Sequence, residues 1–222
     1  QDRAFSKLSI NPRVQVQGSD GVSIELGSGT VLQDYQYIST DIGCKNKHGS
    51  IVTPYGIYFY DTNNKRITQF NGQITPISET AGLHSFLYSK ELKSIDLDKP
   101  LKGEGISMGY DYTNNQLHMS FLTLNENFTL KYTEKGNMFV NNNDYGANHY
   151  SSMADYFYSN LSDNQMYRHN KGEYNNYYGE HKPTKVTLLI NPEADLSIIV
   201  NNIAFKSEAY LNSVDQPDTT LT

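Results

Sequence analysis

Tryptophan is absent from this chain, and cysteine occurs once, as Cys44. A single thiol excludes an internal disulfide and any metal cluster built on several cysteines. Cys44 is expected to be a buried or incidental thiol, not a nucleophile. The lack of tryptophan counts against a sugar-stacking platform. No apolar run approaches the roughly 20 residues a membrane-spanning helix needs, and no signal-peptide pattern opens the chain; no membrane partner is expected. Clustered basic residues are also missing. Asp and Glu total 24 against 18 Lys and Arg, a formal net charge of −6. The densest basic group (Lys45, Lys47, Lys65, Arg66) is split between two segments, whereas phosphate neutralisation needs clustered charge. Nucleic acid is therefore not an expected partner.

Catalytic signatures are scarce too. His48, His84, His118, His149, His169 and His181 show no HxH or HxxxH spacing, so they are expected at the surface or supporting turns, not as metal ligands. There is no Gly-rich phosphate loop, nucleophile elbow or Ser/His/Asp arrangement. No catalytic residue, metal or cofactor is assigned.

What the chain does have is tyrosine (18), asparagine (23) and glycine (16) within 222 residues. Tyrosine favours strands; asparagine and glycine favour turns. Tyrosine can also build a core despite a mean hydropathy of −0.61, because its ring is apolar while its hydroxyl finds a partner. Many short strands joined by tight turns are expected.

The run Val22–Leu26 alternates as a half-buried strand does. A second candidate spans Asp34–Ile42, with Tyr35, Tyr37 and Ile38 expected to face inward. The clearest unit is Gly56-Ile57-Tyr58-Phe59-Tyr60-Asp61, a turn at Thr62-Asn63-Asn64, then Lys65–Phe70. Asparagine tolerates the left-handed conformation that tight hairpin turns require. A similar Tyr-Asp, Asn-Asn, strand order returns over Met108–Phe121, and more weakly over Tyr156–Asn170. Aligned on Asn64, Asn115 and Asn164, the spacings are 51 and 49 residues. Phe128–Val140 reads as a further hairpin. Short helices are expected near Ser78–Ser89 and Ser151–Leu161, and aliphatic strands at Lys185–Ile190, Leu196–Val200 and Ile203–Phe205.

A period near 50 with paired strands in each unit is the pattern of propeller blades. The expected fold is all-β: a propeller-like array of antiparallel hairpins over residues 46–182, an uncertain β-rich segment over 1–45, and a C-terminal antiparallel sheet and tail over 183–222. Gln1 in place of an initiator methionine, and the polar stretch Asp215–Thr222, suggest a piece of something longer.

Asp61 and Asp111 occupy corresponding places. A glycosidase needs two carboxylates facing each other across a sugar; one carboxylate at the same place in each unit suggests instead a side chain accepting backbone N–H groups in its own turn. Asp61-Thr62-Asn63 begins like a calcium loop but lacks the glycine and distal glutamate that complete one. Asp61, Asn64, Asp111, Asn115 and Asn164 are thus expected to form turns. The Tyr/Asn-rich stretch Tyr167–His181 suits a contact surface, with Tyr174, Tyr177 and Tyr178 as candidates.

Ile51-Val-Thr-Pro-Tyr-Gly-Ile-Tyr-Phe-Tyr-Asp61 with Asn71-Gly72, followed by Gly172-Glu173-Tyr174-Asn175, Tyr178-Gly179-Glu180, Pro183 and Thr187, resembles the stabilisation or muzzle proteins of crAss-like tailed phages that infect gut Bacteroidales. The similarity runs from Gly49 to Gly72 and from Gly105 to Tyr210; residues 1–45 add little. It implies a longer full-length chain and a structural, non-enzymatic virion protein in the tail, with no catalytic or cofactor residues to carry over. It further implies a homo-oligomeric ring in contact with other virion tail proteins, assembled in the bacterial host cytoplasm. The alternatives are a glycan- or receptor-binding module and, further off, a glycoside hydrolase.

Overall fold

The computed structural model describes residues 3–10, 13–17, 21, 23–27, 29, 32–90, 92, 98–123, 125–153, 155–161, 165–183 and 185. The expected C-terminal sheet and Asn164 lie outside these residues. By contact the chain forms two units, residues 1–169 and 170–222.

The first unit opens with two antiparallel pairs: β1 (Phe5–Ile10) with β4 (Leu32–Ser39), and β2 (Val14–Gln17) with β3 (Ser23–Leu26) between them in sequence. Three meanders follow. The first sheet runs β5 (Ser50–Thr53), β6 (Gly56–Asp61), β7 (Arg66–Phe70) and β8 (Ile74–Thr75). The second runs β9 (Gly105–Asp111), β10 (Gln116–Leu122), β11 (Asn127–Thr133) and β12 (Met138–Asn143). The third has β13 (His149–Met153), β14 (Tyr156–Asn160) and β15 (Met166–Arg168). Between the first two sheets lie α1 (Ile77–Thr80), α2 (His84–Ser89) and a 3-10 turn at Pro100–Lys102. The second unit, described by itself, carries a small hairpin, β16 (Asn176–Tyr177) with β17 (Glu180–His181).

The helices expected near Ser78–Ser89 form as two short pieces. The first is fixed because Ser78 Oγ accepts the buried Ile67 N–H of β7 at 3.1 Å. The helix expected over Ser151–Leu161 does not form; β13 and β14 occupy that stretch. A pleat buries Phe157 and Ser159 on one face and sets Tyr156 and Tyr158 together on the other, an alternation that a helix cannot provide.

In the second sheet β9, β10 and most of β11 are buried on both faces, β12 is largely exposed, and the two faces differ. Its register sets Met119 against Met108 and Leu130, Leu117 against Tyr110 and Tyr132, and Phe121 against Ile106 and Phe128. Residues directly opposite share a face, so this face is apolar, and it meets the first sheet through Tyr60 on Phe121 (ring centroids 5.2 Å) and Tyr58 on Tyr132 (6.1 Å). The other face carries Ser107, Gly109, His118, Ser120, Thr129 and Lys131, small or polar, and receives the third sheet. On the far face of the first sheet, Phe59 stacks with Phe5 of β1 at 5.4 Å. Among the described residues these sheets stack in sequence, and none closes into a ring.

Tyr35, Tyr37 and Ile38 do not face a core; all three are exposed. The alternation correctly marks an apolar face, but β1 and β4 form a two-stranded ribbon with no described layer over it.

Candidate interaction surface

The turn at Asp61 is built by its own carboxylate. Oδ1 accepts the N–H groups of Asn63 (3.1 Å) and Asn64 (3.3 Å), and Oδ2 accepts Asn64 Nδ2 at 2.6 Å. Asp111 repeats the arrangement: Oδ1 accepts from Thr113 N (3.0 Å) and Asn114 N (3.3 Å), and Oδ2 from Asn114 Nδ2 at 2.8 Å. Asn64 therefore corresponds to Asn114, not to Asn115, and the two turns are 50 residues apart, not 51. Asn115 corresponds to Lys65, and both hold the left-handed backbone, at φ 52° and 50°. The sequence alignment slid by one because it matched Asn-Asn pairs, whereas the geometry is set by the aspartate three residues before the capping asparagine.

Between the first and second sheets lies a buried carboxylate that sequence reasoning passed over. Glu134, in the β11–β12 turn, accepts from Thr53 Oγ1 (3.1 Å) and Tyr110 Oη (2.7 Å). Burial, with Glu134 next, raises the pKa of both Tyr58 and Tyr110, so these phenols stay neutral donors. No local motif marks this residue, because its partners lie 81 and 24 positions away.

Between the second and third sheets the polar face is tied together by Ser120. Its hydroxyl lies 2.6 Å from both Thr129 Oγ1 and Tyr150 Oη and accepts Ala147 N–H at 3.0 Å. Ser152 Oγ donates to the Tyr110 carbonyl at 2.6 Å. Burial pushes the Tyr150 phenol up to about 12. His118, expected at the surface or in a turn, is 2 % exposed: it sits on a strand covered on both sides, with its ring 4.8 Å from Phe157 and 5.6 Å from His169. Neither ring nitrogen of His118 has a hydrogen-bond partner among the described residues. Burial, then the Lys131 charge and His169, holds its pKa well below the usual histidine range. His169, whose Nε2 lies 2.7 Å from Ser159 Oγ, is lowered to about 4, mainly by burial and then by Lys131. Among the described residues no three His, Cys, Asp or Glu side chains are grouped to hold a metal.

Cys44 is half-buried; its thiol donates to the carbonyls of Asn46 (3.1 Å) and Gly49 (3.3 Å), and burial raises its pKa to about 11. Such a thiol is a poor nucleophile. In the second unit Tyr174 is 78 % exposed, while Tyr177 and Tyr178 are half-buried.

The fold is thus a stack of antiparallel sheets in which Asp61, Asp111 and Glu134 serve turns and a sheet junction, with several large apolar side chains, Leu8, Tyr35 and Tyr174 among them, left exposed. A family model described as the Crassvirus muzzle protein matches residues 1–163, and the chain belongs to that family. It is similar to the muzzle protein of Bacteroides phage crAss001, with 29% identity over 211 residues. That alignment takes in 95% of this chain and 15% of the relative, so the chain spans a small part of the relative's length.

Proposed function

We propose that this chain is a non-enzymatic, structural piece of a phage virion, at the tail, that joins a homo-oligomeric ring and contacts other tail proteins through its β surfaces. The observation that carries the reading is the use of the buried carboxylates. Asp61 and Asp111 each spend both oxygens on their own turn, and Glu134 spends both on joining two sheets, which leaves none of the three poised for acid–base work. Family membership supports a virion setting. The stacked meanders, with matching turns 50 residues apart, support a blade-like arrangement in which further sheets of the longer polypeptide continue the array.

Mass spectrometry and cryo-EM of purified particles test the proposal. The expected result is several copies per particle, with density for the stacked sheets at the tail. Absence from purified particles would refute it, and turnover of a surface glycan by the purified protein would refute the non-enzymatic part.

A further inference from the structure

Where the third sheet closes on the polar face of the second, three groups able to carry positive charge come together. The register sets His118 of β10 between Gly109 of β9 and Lys131 of β11. From the other side Tyr150 of β13, Phe157 of β14 and His169, just past β15, pack on the His118 ring, with centroids at 5.8, 4.8 and 5.6 Å. Gly109 permits the approach, since a Cβ there would overlap that of Tyr150. His169 belongs to the third sheet: its backbone N–H donates to the Phe157 carbonyl at 2.8 Å, and its Nε2 lies 2.7 Å from Ser159 Oγ.

The surroundings of His118 hold more positive than negative charge. β9 sets a glycine directly opposite, and Asp111 at the end of that strand accepts from its own turn. β11 contributes Lys131, which is half-buried. β13 contributes the Tyr150 phenol, bonded to Ser120. From β14 come Phe157 and Ser159, neither of them ionisable, and from β15 and its end the Tyr167 phenol and His169. Asp111 is the carboxylate whose charge reaches Lys131 and His169. Among the described residues none bonds either ring nitrogen of His118. A phenyl ring would fill the same place without burying two unpartnered nitrogens, which costs free energy. The imidazole differs in that it can take up a proton.

The hold on the third sheet is modest. Ala147, Tyr150 and Phe157 form an apolar cluster of their own, apart from the larger one shared by the first two sheets. The bonds from Ser120 to Tyr150 and from Ser152 to the Tyr110 carbonyl join neutral groups, so acid leaves them as they are. A protonated His118 would instead lie buried beside Lys131 without an acceptor, and a proton on His169 would add a like charge. Opening the junction relieves both by letting water reach all three groups.

We propose that the junction between the second and third sheets is an acid-sensitive catch: protonation of His118 and His169 beside Lys131 releases the β13–β15 sheet while the first and second sheets stay packed. The inference does not depend on the assembly reading above.

The test titrates the full chain from about pH 7 to about pH 3.5 and follows each backbone amide by heteronuclear NMR. The open state binds more protons below the ordinary histidine pKa, so acid favours it. The amides of β13–β15 should leave their native positions at a midpoint between about pH 6.5 and 4, while those of β6 and β7 keep theirs. His118→Phe combined with His169→Gln should lower that midpoint by about one pH unit or more and flatten its dependence on pH. Lys131→Met should lower it too, because the imidazoles then charge against less repulsion, and it carries the test if the double variant does not fold at neutral pH. His84→Gln, at an exposed histidine, should leave it unchanged. Loss of all the sheets at one midpoint, native β13–β15 signals down to the pH at which the first sheet melts, or an unmoved midpoint in the folded variants would overturn the proposal.

Discussion

Tyr110 donates to Glu134 Oε2 at 2.7 Å, and through that bond strand β9 is tied to a turn that also holds Thr53 of the first sheet. One carboxylate thus bridges two sheets, and its removal exposes the cost of burying its partners unpaired. Glu134→Ala should destabilise the protein by about 2–4 kcal/mol, since two buried donors lose a charged acceptor. Tyr110→Phe should cost about 1.5–3 kcal/mol. Chemical denaturation of both single variants and the double variant measures their coupling, and strict additivity would mean that the bond contributes nothing.

The Asp61 and Asp111 turns lie in different sheets, each closed by its own asparagine, so they should fail independently. Asp61→Ala and Asp111→Ala should each cost about 2 kcal/mol, and the double variant close to the sum. Urea midpoints decide it. If either change is neutral, the carboxylate does not hold its turn.

Gly109 faces the third sheet, where a Cβ would overlap Cβ and Cγ of Tyr150. Gly109→Ala should cost at least about 3 kcal/mol, as overpacking against a backbone-anchored atom does. Tyr150→Ala should not rescue it, because the Cβ of residue 150 is itself the obstacle; Tyr150→Gly should do so in part. Thermal melts of the three combinations separate these outcomes.

His118 and His169 are buried neutral beside Lys131. Their folded pKa values lie below the ordinary 6.5, at about 4 for His169. The unfolded chain therefore binds more protons between about pH 6.5 and 4, and stability rises with pH there. The histidine contribution is complete above about pH 6.5 and is lost as the solution is acidified toward pH 4, by about 3 kcal/mol for His169. His118→Phe should flatten this acid limb. Unfolding free energies at a series of pH values would show the slope, and an unchanged slope in the variant would count against His118.

The hairpins of the first two sheets were legible because their strands alternate and their turns carry Asp and Asn at fixed places. The depth of His118 was not, since alternation on one strand cannot tell whether a second sheet covers the polar side. Tyr35 and Tyr37 failed in the opposite sense: the pattern marks an apolar face but not the presence of a layer to meet it. Glu134 left no local trace, because a junction between sheets is made by residues far apart in the chain. The offset between the Asp61 and Asp111 turns is 50 residues where the sequence alignment gave 51, and that one residue was lost because asparagine recurs in pairs.

Within each of the three meanders every strand after the first bonds to the strand made just before it. Such a chain needs few distant contacts to gain its first structure, so loop closure costs little at each step. During synthesis each sheet can form soon after its last strand emerges and present a finished face to the next. The N-terminal ribbon is the exception, since β1 must wait for β4 while another hairpin forms between them.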